Sequence, residues 1–263
     1  MGLAPLFERT RAEGRAALAG YIPAGFPTVD GSIDMLKAMI DGGCDVLEIG
    51  VPYSDPVMDG PTIQAAADEA LRAGFRLRDV FRVVEAVTTY GGQAVVMTYW
   101  NPVHRYGVDA FARDLAAAGG HGIITPDLIP DEAAPWLAAS EAHGLDRIFL
   151  VAPSSTEERI ARTVAASSGF VYATAVMGVT GARDAVGGAA AGLVQRTREH
   201  TSLPIGVGLG VRSGEQAAEV AGFADAVIVG SAFVSAVREG ADAVRALATD
   251  LATGVRRATS TIG

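Results

Sequence analysis

Short apolar runs alternate with amphipathic stretches along the whole chain. Eight runs have the length and β-branched content of buried strands: 17–22, 46–50, 94–99, 122–125, 147–151, 170–174, 205–208 and 226–229. Between them, apolar residues recur at helical spacing over 32–41, 62–73, 79–89, 108–118, 130–142, 156–167, 189–199, 213–220 and 232–253. A short helix over 5–13 precedes the first strand. Several helices stop at glycine, as in D-G-G, E-A-H-G and S-S-G, where a left-handed residue closes the last turn. Eight strand–helix alternations imply a parallel sheet with helical crossovers. At this length the count matches an α/β fold of the (β/α)8 TIM-barrel kind, with a short N-terminal helix and an extra helix after strand 2. A doubly wound sheet usually carries G-x-G-x-x-G after its first strand, whereas this first strand leads into I-P-A-G-F-P-T. No linker or low-complexity segment interrupts the pattern, so residues 1–263 are expected to form one barrel domain.

Composition narrows the chemistry. Of 263 residues, 49% are apolar but only 6% aromatic, so Ala, Val, Leu and Ile must build the core. The net charge of −9 argues against nucleic acid or an anionic membrane as partner. An anionic substrate must be held by local donors rather than by the global field. Cys44 is the only cysteine, which excludes an intrachain disulfide and a cysteine-based zinc site. The four histidines, His104, His121, His143 and His200, have no metal-ligand spacing, so no metal is expected. Lys37 is the only lysine and lies on the polar side of a helix whose apolar stripe is Ile33, Leu36, Met39 and Ile40. Schiff-base catalysis needs a lysine in the site, and this chain offers none. No stretch is long and apolar enough to span a bilayer, and no signal-peptide pattern opens the chain; a cytoplasmic location is expected.

Candidate chemistry concentrates in V-L-E-I-G-V-P-Y-S-D-P-V-M-D-G-P-T-I-Q, from Val46 to Gln64. Glu48 sits within an apolar strand, where a carboxylate is costly unless paired or used. Alternation turns Leu47 and Ile49 toward the helices and points Val46, Glu48 and Gly50 into the barrel. That puts Glu48 near the carboxyl end, where such barrels react. The competing reading is a structural ion pair, but neither neighbouring strand carries an arginine. An apolar setting raises a carboxyl pKa toward neutrality, which suits a group that must give and take a proton. Asp59 precedes Gly60-Pro61 at a helix start, so helix capping and a role in the site both fit it. Asp55, in S-D-P, reads as a turn residue.

Two glycine-rich stretches follow the last two strands: I-G-V-G-L-G-V-R-S-G and I-V-G-S-A-F. In these barrels the last two loops commonly hold a phosphate, because glycine lets backbone N–H groups close on the anion. Gly208, Gly210, Gly230 and Ser231 are the candidates, with ordinary turn glycines as the alternative. The long glycine-rich stretch from Met177 to Ala189 reads as a lid, from which Thr180 and Gly181 would reach a phosphate.

These segments together, with the G-V-T-G of the lid stretch, resemble the tryptophan synthase alpha subunit family over nearly the whole chain. The resemblance implies retro-aldol cleavage of indole-3-glycerol phosphate to indole and glyceraldehyde 3-phosphate. It implies that Glu48 is the general acid–base and that Asp59 holds the indole N–H. Tyr21, Met97, Tyr99 and Ile124 would form the indole slot, with Tyr172 beside the acid. Thr180, Gly181, Gly210, Gly230 and Ser231 would hold the phosphate. The family works bound to a beta subunit in an alpha2-beta2 tetramer. Pyridoxal phosphate is expected in that partner and no cofactor in this chain. Pro52, Asp55 and Asn101 match the contact surface. Ala175-Val176 departs from the Ser-Arg that some members carry there. Two alternatives are another phosphate-binding barrel, which needs a second acid–base group or a metal opposite the first, and a non-catalytic activator of a beta-type enzyme.

Overall fold

A computed structural model describes residues 2–175 and 183–257, without the side chains of 183–187. The strands are β1 (Ala17–Pro23), β2 (Val46–Gly50), β3 (Ala94–Met97), β4 (Gly122–Ile124), β5 (Asp146–Ile148), β6 (Leu150–Val151), β7 (Val171–Thr174), β8 (Ile205–Gly208) and β9 (Ala226–Val229). All pair in parallel, in the order β5-β4-β3-β2-β1-β9-β8-β7-β6. The two end strands, β5 and β6, are one run interrupted at Phe149, so the chain itself joins the ends and the eightfold barrel closes. The sequence pattern carries no mark of that interruption. At the seam, Ser168 N–H donates to Arg147 O at 2.8 Å and Tyr172 N–H to Phe149 O at 3.1 Å.

Alternation along the strands sorts two apolar layers. Ala17, Ala19, Val46, Val95, Ile124, Ile148, Phe170, Ala226 and Ile228 fill the barrel interior. Leu18, Leu47, Ile49, Val96, Ile123, Val207 and Val227 face the surrounding helices. The helix α1 (Ala4–Ala12) joins the inner layer through Leu6 and Phe7, with the Phe7 and Phe170 rings 5.8 Å apart. It therefore plugs the amino-terminal end. Beside it, Arg15 donates to both oxygens of Asp45 at 2.7 and 2.9 Å, and Asp45 also accepts the Leu18 N–H. Both side chains of this pair are only 8% exposed. A cavity of about 330 Å³ opens at this end, between α1 and the segments around Pro204 and Ala221. Two of its charged walls are already engaged, Arg15 with Asp45 and Asp225 with Arg198; Arg11 also lines it.

The outer helices, among them α6 (Val108–Ala117), α8 (Glu157–Ala166) and α10 (Gly214–Ala221), follow the expected pattern with four differences. The extra helix after the second strand is present: α3 (Pro61–Arg72) and α4 (Asp79–Thr89) both precede β3. The helix α2 (Val29–Gly42) starts where Thr28 Oγ1 accepts the Gly31 N–H and stops at Gly43 with φ +104°. On its outer face the Lys37 ammonium lies 5.4 Å from the Tyr90 ring centroid. First, α5 (Trp100–Tyr106) stands where the pattern predicts no helix; its short W-N-P-V-H-R-Y run offers no amphipathic period. Second, 130–142 divides into a 3₁₀ turn, Pro130–Glu132, and α7 (Ala134–His143). Third, the helix expected at 189 already runs from Arg183, as α9 (Arg183–Arg198), so the second half of the expected lid stretch is helical. Fourth, 232–253 is two helices, α11 (Ser231–Val237) and α12 (Ala241–Arg257), separated at Gly240 with φ +102°.

Candidate active site

Glu48 lies in the middle of β2, in register with Tyr21 on β1 and Val95 on β3. It is 1% exposed, and neither carboxyl oxygen has a hydrogen-bond partner. No arginine reaches it among the described residues, which removes the ion-pair reading. Burial alone raises its pKa from 4.5 to about 8. The group therefore rests as a carboxylic acid near neutral pH.

Above it opens a cavity of about 160 Å³ walled by Tyr21, Glu48, Met58, Asp59, Ile63, Met97, Tyr172 and Gly230, with Gly60, Pro126, Leu150, Thr174 and Ile228 completing it. Two tyrosines flank the acid, and each depends on a glycine opposite. A Cβ on Gly50 would collide with the Tyr21 ring, and one on Gly208 would meet the Tyr172 hydroxyl at 2.7 Å. Burial holds both phenols protonated, well above their usual pKa, with Glu48 and Asp59 adding to the effect.

Asp59 is half-buried on the loop between β2 and α3. The helix is capped by Gly60, with no side-chain cap, so Asp59 is not the capping residue. Its backbone carbonyl is tied by Gln64 Nε2 at 2.7 Å. Burial raises its pKa, and a hydrogen bond from Tyr99 opposes the rise.

The remaining candidates separate by position. Met97 and Tyr172 wall the cavity. Ile124 does not; it is fully buried in the interior layer beneath, paired in register with Met97. Tyr99 is not a wall either: its hydroxyl accepts the Met58 N–H at 3.0 Å, and its ring packs on Tyr53. Sequence reasoning missed Met58, Ile63, Pro126, Leu150, Thr174 and Ile228. Inward alternation at strand ends would have found Leu150, Thr174 and Ile228; nothing local marks Met58. Register sets Gly208 beside Ile228, so Gly210 (φ +69°), two residues past the end of β8, and Gly230, one residue past the end of β9, leave adjacent strands. Ser231 begins α11. Thr180, Gly181 and Val176 lie outside the described residues. Asp55 is exposed, accepting from Ser54 Oγ at 2.6 Å, and Asn101 is exposed, donating to Tyr53 Oη at 3.0 Å. Pro52 is buried, so it shapes the loop and offers little outward surface. His121, His143 and His200 rest against Ala94, Asp109 and Glu157. Among the described residues no cluster of three or more His, Cys, Asp or Glu is placed to hold a metal ion.

The structure defines an eightfold β/α barrel with an unpaired buried acid beneath its cavity. Residues 7–261 match the family model described as the tryptophan synthase alpha chain. The alpha chain of Nocardia farcinica is 68% identical over 257 residues, covering 98% of this chain and 97% of that one. The alpha chain of Mycobacterium marinum is 64% identical, covering 98% and 96%. The solved tryptophan synthase of Mycobacterium tuberculosis superposes with a TM-score of 0.92 at 63% identity, over 97% of this chain and 98% of that one. The alpha subunit of Legionella pneumophila gives 0.87 at 30% identity over the full length of both. The chain belongs to the tryptophan synthase alpha chain family.

Proposed function

We propose that Glu48 and Asp59 carry the lyase reaction of this family, the cleavage of indole-3-glycerol phosphate to indole and glyceraldehyde 3-phosphate. The observation that carries the proposal is the buried, unpartnered Glu48 carboxyl, its pKa raised to about 8. A group that starts protonated can donate to the indole ring carbon that bears the glycerol chain. The ring nitrogen then becomes positive, and the Asp59 carboxylate accepts its N–H, stabilising charge where it develops. Glu48, now a carboxylate in an apolar wall, takes the proton from the hydroxyl on the neighbouring side-chain carbon. The carbon–carbon bond breaks, its electron pair returns to the ring, and the aldehyde forms. Proton donated and proton taken balance on one residue, so no lysine is required.

Met97, Tyr21, Ile63 and Leu150 supply the flat apolar walls that an indole needs. Tyr172 packs beside the acid. The phosphate would lie outward, toward Gly210, Gly230 and the first turn of α11 at Ser231, with Thr180 and Gly181 closing on it. Gly208 serves the site indirectly, by leaving room for the Tyr172 hydroxyl.

A beta subunit carrying pyridoxal phosphate is the partner, in a two-alpha, two-beta assembly that consumes the indole. Exposed Val57 (76%) and Met58 (53%) beside the cavity, with Ile129 (41%), give a partner apolar surface to cover; Asp55 of the same loop and Asn101, bonded to Tyr53 of that loop, are exposed as well. No helix among the described residues is long and apolar enough to cross a membrane. The family's biosynthetic chemistry is the ground for placing the protein in the cytoplasm.

An indole-release assay with and without the beta subunit tests the reading. Glu48→Gln is expected to abolish indole release while glycerol phosphate still binds. Normal turnover by that variant would sink the mechanism. Stimulation by the added beta subunit supports the partnership, and indifference to it counts against.

A further inference from the structure

Asp59 has no salt bridge among the described residues, although burial works against its charge. Its loop, between β2 and α3, also has few backbone bonds of its own. The group that meets it is the hydroxyl of Tyr99, the residue capping α5. Tyr99 Oη accepts the Met58 N–H at 3.0 Å. That N–H ties the loop one residue before Asp59 and leaves the phenol proton free for the Asp59 carboxylate, whose charge the Tyr99 hydroxyl favours. The Tyr99 side chain is itself fixed. It is 5% exposed, and its ring lies 5.3 Å from that of Tyr53 at 35°. Tyr53 Oη in turn accepts Asn101 Nδ2 at 3.0 Å.

We infer that Tyr99, braced by Tyr53, is a positioning residue for the reaction: one hydroxyl holds the Met58 backbone and aims the Asp59 carboxylate at the cavity. The inference rests on the role proposed for Asp59. Its consequence is a charged Asp59 at the moment the indole N–H needs an acceptor. The other titratable groups facing this space are Glu48 from β2, Tyr21 from β1 and Tyr172 from β7, and all three are neutral while Glu48 awaits substrate. None of them favours an ionised Asp59; the Tyr99 hydroxyl does, working against part of the cost of burial. Activity then has two limbs. Asp59 must be ionised, which sets the acid limb, and Glu48 must be protonated, which sets the alkaline one.

Tyr99→Phe keeps the ring and removes the hydroxyl. In the full-length chain assayed with the beta subunit, kcat for indole release is expected to fall about tenfold, with KM changed less than about twofold, as for loss of one charge-assisted hydrogen bond. The acid limb should move up by about one pH unit, because the carboxylate then ionises less readily. An unchanged kcat and an unmoved acid limb overturn the inference. So does a lowered melting temperature with the limb unmoved, which assigns Tyr99 a merely structural role. If Tyr99→Phe does not fold, 3-fluorotyrosine at position 99 keeps ring and hydroxyl and donates more strongly. It should move the acid limb down, and an unmoved limb again overturns the inference. Asp59→Asn separates the two levels. Full turnover by Asp59→Asn removes the role of Asp59 and the inference with it. An impaired Asp59→Asn beside an unaffected Tyr99→Phe removes the inference alone.

Discussion

Glu48 ties the stability of the protein to its proton. The carboxyl titrates near 4.5 in an unstructured chain and near 8 when folded, so the folded state holds the proton more tightly. The stability linked to that proton is fully present below about pH 4.5 and is lost as pH rises toward and through 8. A tenfold difference in proton affinity between the folded and unfolded chain corresponds to about 1.4 kcal/mol, so a loss of a few kcal/mol is expected across this window. The melting temperature of the natural chain should therefore fall between about pH 5 and 8.5 more steeply than that of Glu48→Gln. Parallel curves for the two would show that Glu48 does not carry this linkage. At this scale the sequence is most readable where a residue is out of place. A glutamate between Leu47 and Ile49 announces itself by its desolvation cost. Met58 does not, because its contact with the cavity is made by the path of a loop and no local pattern encodes it. Tyr99 is visible as an inward tyrosine but not as a hydrogen-bond partner of the preceding loop, 41 residues away in sequence.

Elements are legible where period and length agree. β2 and α4 fall at the expected residues because an apolar run and an amphipathic stretch are each closed by clear turn residues. The interruption at Phe149 is invisible, since I-F-L-V is continuous as a pattern and only barrel closure bends it. The start of α9 at Arg183 is hidden by Gly187 and Gly188, which read as loop although the helix continues through them. The strand-end glycines carry a prediction at this scale. Gly50 and Gly208 are small so that two tyrosines can lie across the barrel mouth. Gly50→Ala should push the Tyr21 ring toward the cavity. We expect kcat/KM to drop about tenfold or more, since small displacements at a reacting centre are costly. The chemical-denaturation midpoint should register about 1–3 kcal/mol of overpacking. Unchanged kinetics with lost stability would show that Tyr21 does not shape the site.

For the whole molecule, the barrel divides labour between its ends. The carboxyl end holds the cavity and the exposed apolar loop residues, while α1 and the Arg15–Asp45 pair seal the amino end. Phe7→Ala at the sealed end should cost about 3 kcal/mol in denaturation, as for a buried aromatic whose neighbours relax little. KM for indole-3-glycerol phosphate should stay within about twofold of the natural chain if the two ends are energetically separate. A large change in KM would show that the plug reaches the site through the inner layer. Neither end is readable from any one segment. Glu48 and Gly230 stand 182 positions apart in the chain (230 − 48), and closure of the sheet is what makes them walls of one cavity.

The single lysine, on the outer face of α2 with its ammonium against the Tyr90 ring, has a practical side. Within this chain an amine-directed reagent finds one side-chain target, set on the helical layer and away from every wall of the cavity. With the α-amine blocked, a dye or a tether attached there would give each molecule the same orientation and leave the mouth of the barrel free. A chain with a single lysine is thus open to oriented attachment through that side chain, with no mutation needed to remove competing lysines.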